Sequence, residues 1–555
     1  MNRLPREICD EIGSLCSEND TRRSSLAAVS RPWQMIIERQ TFQSLCLKNT
    51  DLDSFERIFG AFLHRRCFLE NIILEIVLPE YSDEARGRFE REPDRQANNE
   101  VFSAAIHGLF RILNAWGECN EGTISLTIGN IASPMDGDRW EKQGIIEAAD
   151  DVQAEEVANR DLRHRRFQYS YLCLLQPDRL PKVPVIAYFG TGYMIRRLAY
   201  RTTLDIAAKL PNLLGTQWHM TDTEQRYPAL RRENHRDLIE AIQVLLPKAS
   251  NLQELHILMD DGRMDWNPDW LPADLRFLST TVDSLGSAIR KATAHLKNLN
   301  SLSLIGTFDS SLLWPGPVRS PAPPFWQNLE SPFPPSTPSM TEMPPGYGYS
   351  EEQDITAALR FSDEENRLHS GQKMFYNNVE DDDVAVPDET SIVPLMKAFG
   401  RACTQIPTLK VACLETEIPQ PRNDLRRLVL HGASWGVSYL APLATPKRPK
   451  KTLDLAFSED IGQRRLFWDV GKWRPKAELR GIFRAIGREI YGDTLVEKFV
   501  DNYTAFVTSL NPDWRNASLR VNEEIYQAGD SDSDGSGDDY GGGGGEDGEN
   551  AEEAG

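Results

Sequence analysis

The sequence predicts an α/β protein assembled from repeated helix-then-strand units, and three observations predict it. Apolar residues at helical spacing alternate with short strand-like runs: Leu238, Ile239, Ile242, Leu245 and Leu246 mark one helical face, and Leu252, Leu255 and Ile257 follow in the order L-x-x-L-x-L. The same unit recurs. Val282, Leu285, Ile289, Ala292 and Leu296 precede Leu299, Leu302 and Leu304, while Ile392, Leu395, Met396, Phe399 and Ala402 precede Leu409, Val411 and Leu414. The third observation is a globular composition, 40% apolar and 26% charged over 555 residues. Alternation of this kind favours right-handed crossovers and parallel strands.

Weaker copies extend the pattern. They lie at Leu69, Ile72 and Leu74; at Ile124, Leu126 and Ile128; from Val183 to Phe189; from Leu210 to Met220; and at Leu425, Leu428 and Leu430. The Ile124 run follows a helical face with Val101, Phe102, Ile106, Leu109, Leu113 and Trp116. Recurrence at roughly 40 to 60 residues makes a curved stack the economical arrangement, with an ordinary doubly wound α/β domain as its competitor. The stack resembles leucine-rich repeats of an irregular, long kind. Its spacing exceeds the ~20 to 29 residues of regular repeats, and no asparagine ladder follows the strands. The expected solenoid spans residues 46–314 and continues over 391–460. Over 461–528 the pattern changes to two apolar helices, Leu479, Ile482, Phe483, Ile486 and Ile490, then Leu495, Phe499, Val500, Tyr503, Phe506 and Val507, suited to capping an open stack.

Two segments offer no core. Between Pro315 and Pro345, 11 of 31 residues are proline, and an acidic run follows, so 315–390 reads as a disordered insert. Residues 529–555 form a low-complexity acidic tail that reads as disordered, in which Ser531 and Ser536 each have an acid three residues on, the pattern favoured by acidophilic kinases. These segments also hold the charge. Net charge is -21, of which residues 316–390 and 529–555 each contribute -10. The remainder is nearly neutral, without the basic surplus that tracks phosphate backbones, so nucleic acid is not expected as a partner. No run of 18 apolar residues exists and acids occupy the N-terminal stretch, so neither a membrane span nor a signal peptide is expected. The expected location is cytoplasmic, nuclear or both. Eight cysteines without a C-x-x-C pair read as reduced and mostly buried, with no metal site or cofactor implied.

Residues 1–45 carry three short helical patterns. Leu4, Ile8, Ile12 and Leu15 step by four, four and three; Leu26 and Val29 follow a capping serine; Pro32 fits the first position of a third helix through Trp33, Ile36 and Ile37. Forty-five residues bury little core alone, so these faces need another surface. In the order Leu4-Pro5, Ile8, Ile12, then Leu26-Ala27-Ala28-Val29-Ser30-Arg31-Pro32-Trp33, the segment resembles an F-box. The following residues and FWDVGKWRP at 467–475 are similar to the filamentous-fungal group of F-box proteins. The resemblance implies a non-catalytic substrate receptor. Leu4, Pro5, Ile8, Ile12, Leu26, Val29 and Trp33 would bind the adaptor subunit of a cullin-based SCF ubiquitin ligase, and the repeat region would hold a target protein. An interaction scaffold using an F-box-like segment as an N-terminal cap is the alternative.

Several motifs imitate chemistry. Gly432-Ala433-Ser434-Trp435-Gly436 matches G-x-S-x-G, but the last histidine, His431, precedes the serine, so the base required after it is missing and the glycines read as turn residues. Gly190-Thr191-Gly192 has Ile195 where a dinucleotide fingerprint needs glycine, and Asp530-Ser531-Asp532 opens a calcium-like loop that ends on Gly541. No complete catalytic constellation is present. The basic run Lys447 to Lys451 fits either an import signal or a solvated loop.

Overall fold

A computed structural model describes residues 25, 27–82, 85, 88–117, 124–137, 166–167, 170–192, 196–221, 228–260, 284–308, 310–314, 326–332, 337–338, 389–418, 433–445, 460–470 and 473–500. Within them the chain is mixed α/β, organised on a mainly parallel sheet. Seven strands form it: β1 (Ser44–Lys48), β2 (Asn71–Val77), β3 (Ile124–Ala132), β4 (Ile186–Thr191), β5 (Gly215–Thr221), β6 (Glu254–Asp260) and β7 (Ser301–Ile305), with a two-residue segment, β8 (Ser331–Pro332), at one edge. Every neighbouring pair is parallel, and strand order follows chain order.

Parallel neighbours require crossovers. The sheet is entered from α1 (Arg31–Phe42), and helices α2 (Leu52–Ala61), α3 (Glu92–Asn114), α4 (Tyr200–Ala207), α5 (Pro228–Leu245) and α6 (Ser284–Ala294) lie between successive strands. Helix α3 begins at Glu92 with Pro93 and Asp94 in its first turn, where a missing N–H costs nothing and acids suit the helix dipole. It buries Phe102, Ile106, Leu109 and Leu113 completely. Helix α5 touches both α4 and α6, so these three form one layer. Side chains alternate along each strand: Ile72, Leu74 and Ile76 are buried while Ile73 is exposed, and Leu255 and Ile257 are buried while Glu254 and His256 are half-buried. Strand starts at 44, 71, 124, 186, 215, 254, 301 and 331 give intervals from 27 to 62 residues, wider in both directions than the sequence spacing suggests.

The turns entering the strands repeat one interaction. The side-chain amide of Asn212 donates to Pro184 O at 2.9 Å, Asn251 to Pro211 O at 3.2 Å, Asn298 to Ser250 O at 2.8 Å and Asn328 to Lys297 O; the Thr408 hydroxyl donates to Gln327 O at 3.1 Å. Pro211, Ser250, Lys297 and Gln327 each directly precede the donor one turn earlier in the series, Asn212, Asn251, Asn298 and Asn328. The residue after each donor is a buried leucine: Leu213, Leu252, Leu299, Leu329 and Leu409. A second ladder runs beside it through the backbone, where the N–H groups of Leu214, Gln253, Asn300, Glu330, Lys410 and Ala441 donate in turn to the carbonyls of Ala187, Leu214, Gln253, Asn300, Glu330 and Lys410 at 2.7–2.9 Å. An asparagine ladder therefore exists, at the entrance to the strands rather than after them.

Trp326 and Leu329, placed by the sequence in a disordered insert, are 3% and 0% exposed. The Trp326 indole N–H donates to Thr293 Oγ1 at 2.8 Å, and Ser331–Pro332 pairs with Ser301 and Leu302. The coreless reading thus fails for 326–332. A run of prolines does not prevent one more leucine from entering the core beside these turns. Residues 339–388 lie outside the described residues.

Beyond the insert come α7 (Glu389–Thr404), β9 (Val411–Ile418), β10 (Ala433–Leu440), β11 (Arg464–Asp469), α8 (Ala477–Ala485) and β12 (Leu495–Val500). The four strands form a second sheet in the order β9-β10-β11-β12, antiparallel except for the last pair. Residues 495–500 were expected as a cap helix and are a strand. Leu495, Phe499 and Val500 satisfy either period in so short a run, and register with β11 decides it. Tyr503, Phe506 and Val507 lie outside the described residues, as do Leu425, Leu428 and Leu430. Gly436 lies inside β10, not in a turn: a Cβ there would sit 2.1 Å from Leu414 O. Ser434 is likewise a strand residue, paired with Glu417, so no strand-to-helix elbow forms around it. No described cysteine forms a disulfide, and among them only Cys403 is buried; Cys46 and Cys67 are exposed, contrary to the expectation of mostly buried thiols.

Candidate functional site

Two surfaces present themselves, one at the N-terminal end and one on the open face of the parallel sheet. At the first, α1 starts after Ser30 in an extended conformation, with Pro32 in the first turn. One turn before the helix ends, Glu38 faces the segment Leu63–Phe68. Its carboxylate accepts from Arg65 at 2.6 Å, His64 at 2.9 Å and Gln34 at 3.0 Å. Burial pushes this carboxyl up, but the three donors outweigh it and hold its pKa at about 2. Arg65 also stands over the rings of Phe62 and Phe42, at 4.1 and 4.8 Å from their centres. Phe42 meets Phe59 edge-on, and Phe59 stacks on Trp116, so α1 is tied to α2 and to the end of α3.

Large apolar side chains are exposed on these same elements. Val29, Met35, Phe62 and Leu63 are all exposed, Leu63 at 62% and Val29 at 56%. Of the residues expected to bind an adaptor, Val29 is exposed. Trp33 is not: it is 6% exposed and packs with Ile36. Leu4, Pro5, Ile8, Ile12 and Leu26 lie outside the described residues. Met35, Phe62 and Leu63 were not singled out from sequence, because each sits in an apolar run, WQMII and IFGAFL, whose buried and exposed members are told apart only by packing.

The second surface is the sheet face opposite the buried set. Reading across the strands, Ser125 pairs with Tyr188, Tyr188 with Gly215 and Gly215 with Glu254; one step along, Ile73 pairs with Thr127, Thr127 with Gly190, Gly190 with Gln217 and Gln217 with His256. Tyr188 is 45% exposed and Ile73 38%. Each leans into space left by a glycine on the next strand. A Cβ on Gly215 would lie 2.6 Å from Tyr188 Cδ1, and one on Gly129 would lie 2.8 Å from Ile73 Cγ2. The glycines at 129 and 215 let these side chains lie across the pleat.

A third cluster is chemically conspicuous but inward-facing. Glu90 takes both guanidinium nitrogens of Arg196 at 2.8 and 2.7 Å, together with Asn98 at 2.6 Å and Ser170. Arg196 sits 3.8 Å from the Phe167 ring centre, and Arg166 bonds Arg88 O and Asp94 while covering Tyr81. Each Glu90 oxygen is used, so the cluster joins residues 81–98 to 166–170 and 196 rather than offering a reactive carboxylate. Sequence reasoning missed it because its members are up to 106 residues apart.

Among the described residues no group of three His, Cys, Asp or Glu side chains is placed to hold a metal ion, and no helix is long and apolar enough to cross a membrane. The run Lys447 to Lys451 and the acidic tail are not among them. Neither the models of known protein families nor the curated proteins give a match to this chain.

Proposed function

We propose that the chain is a substrate-recognition subunit of an SCF-type ubiquitin ligase, non-catalytic itself, with its N-terminal segment bound to the adaptor and its parallel sheet facing a target protein. The observation that carries this reading is the coincidence of the F-box-like order Leu4-Pro5, Ile8, Ile12, Leu26, Val29 with an exposed apolar group, Val29, Met35, Phe62 and Leu63, on and beside α1. Large exposed apolar side chains gathered on neighbouring elements suit an interaction site, and a stable interface of about 1,600 Å² needs several anchors acting together. The paired ladders at the strand entrances support the finer reading of the body as an irregular stack resembling leucine-rich repeats, since each unit hands the same bond to the next.

The deciding experiment is capture of the adaptor subunit by the full-length chain. Wild type retains it, while Leu4→Ala with Pro5→Ala weakens capture at least about tenfold without lowering the melting temperature. Failure of wild type to bind sinks the proposal. The burial of Trp33 favours a second reading, an interaction scaffold whose N-terminal segment caps the stack. On that reading the same double substitution lowers the melting temperature instead.

A further inference from the structure

We propose that the row of turns entering the strands is a cationic ridge that binds the chain's own acidic C-terminal tail, residues 529–555. From β4 to β9 each turn touches the next: the Val183 N–H donates to Lys209 O at 2.8 Å, Asn251 and Asn298 bond back to Pro211 O and Ser250 O, Asn328 bonds to Lys297 O, and the Lys410 N–H donates to Glu330 O at 2.7 Å. Lys182, Lys209, Lys248, Lys297 and Lys410 all lie in these turns. At ~4.8 Å per strand they follow one another along ~24 Å. The turns at 176–184, 208–214, 246–253, 295–300, 326–330 and 405–410, with the last turns of α4 to α7 that lead into them, hold eight Lys or Arg against three acids, Asp178, Asp205 and Glu330. The carbonyl ends of the four helices offset about half a charge each, so about three positive charges remain. Lys209 is partly engaged, donating to Asp178 O at 3.2 Å with Asp205 nearby, and Lys410 pairs with Glu330. Lys182, Lys248 and Lys297 are exposed and hold no ion pair among the described residues. Glu254, the first residue of β6, is half-buried and engaged away from these three lysines.

Charge, composition and reach select the occupant. A ridge of lysines attracts a polyanion, but these turns contain no Phe, Tyr or Trp apart from the buried Trp326, so they offer no ring on which a nucleic-acid base could stack. An acidic polypeptide remains, and the chain carries one of uniform sign: residues 529–555 hold ten acids and no base. Five of those acids fall within 530–539, a run that spans up to ~33 Å when extended and so matches the length of the ridge. The 28 residues between Val500, at the end of β12, and residue 529 reach at most ~90–100 Å, several times the length of a strand. A tether within reach gives the tail an effective concentration of about 1 mM, ahead of any acidic segment free in solution. The acidic run Glu380 to Asp383 fits less well. It stands nine residues or fewer before Glu389, where α7 begins, and α7 is 16 residues or ~24 Å long before it delivers the chain to the ridge.

The test is zero-length carbodiimide cross-linking of the full-length chain, which joins a carboxylate to a lysine amine only where the two are in contact, read by mass spectrometry of the monomer band. Cross-links from residues 529–555 to at least two of Lys182, Lys248 and Lys297 are expected at low salt, and they fall at least about fivefold near 1 M salt, where the screening length is about 3 Å. The second readout is cleavage of the tail by a protease specific for acidic residues. Lys182→Glu combined with Lys248→Glu and Lys297→Glu accelerates that cleavage about threefold or more at an unchanged melting temperature. If the variant melts lower, cross-linking of the wild type decides alone. Tail cross-links confined to Lys447–Lys451 or scattered over lysines elsewhere, cross-linked products only the size of two chains, or equal cleavage of wild type and an equally stable variant each overturn the proposal.

Discussion

At the scale of single residues, the strongest electrostatic commitment outside the core is Glu38. Its carboxyl is held at about 2, below the ordinary value near 4.3 in an unfolded chain. Between those values the unfolded state binds the proton and the folded state does not, so stability is fully present above about pH 4.3 and is lost as pH falls towards 2. Glu38→Gln is expected to lower stability at pH 7 by about 1–2 kcal/mol and to flatten the fall in melting temperature between pH 5 and 2. Parallel melting curves that keep a constant gap over that range would show that Glu38 is not the group responsible. Sterics dominate at Gly436. A methyl there meets Leu414 O and Glu415 Cα across the β9–β10 pair, and neither belongs to a side chain that can swing away. Gly436→Ala is expected to cost about 3 kcal/mol or more, read as a shift in the urea midpoint; an unchanged midpoint would show that the β9–β10 pair yields to a methyl group.

At the scale of elements, the entrance ladder sets the prediction. Asn251 and Asn298 each bridge two neighbouring turns beside buried leucines, and each bond contributes about 1 kcal/mol. Asn251→Ala and Asn298→Ala are expected to lower stability by that amount singly; a combined loss far below the sum in urea titration would mean that the turns do not use these bonds. The insert gives a sharper contrast. Deleting 339–388 leaves Trp326 and Leu329 in place and changes loop closure little, whereas deleting 318–388 removes both and costs about 3–5 kcal/mol or more, measurable by calorimetry. Much of this was legible in the sequence. The helical faces ending at Leu246 and Leu296 and the strands around Leu255 and Leu302 follow from period alone. The ladder is also written there, as PNL at 211, SNL at 250, KNL at 297 and QNL at 327, but ahead of the strands, whereas leucine-rich repeats carry their asparagine after them. The β12 strand, the Glu90–Arg196 pair and the Tyr188–Gly215 contact were not legible, because each depends on register or on partners brought from distant segments.

At the scale of the whole molecule, the question is whether two sheets make one folding unit. Two sheets that met only at one edge could melt separately. Here the backbone ladder does not stop at the end of the parallel sheet. Lys410 and Val411 both donate to Glu330 O, and the Lys410 ammonium lies 2.7 Å from the Glu330 carboxylate, which ties β9 to the turn leading into β8 across the insert. That ion pair is half-exposed and contributes little by itself. The apolar contacts decide the matter. One continuous core runs from Leu47 on β1 to Ile486 after α8, and Phe399 on α7 tilts against Phe483 on α8, joining the helical layer to the second sheet. Separating the sheets would uncover Leu329, Leu409 and Leu414 together, which burial at about 25 cal/mol per Å² strongly opposes. Calorimetry of the full-length chain is therefore expected to give one transition, with amides of β6 and β9 sharing the same hydrogen-exchange protection. Two resolved transitions, with β9 to β12 exchanging first, would make the second sheet a separate unit joined to the parallel sheet only through Glu330.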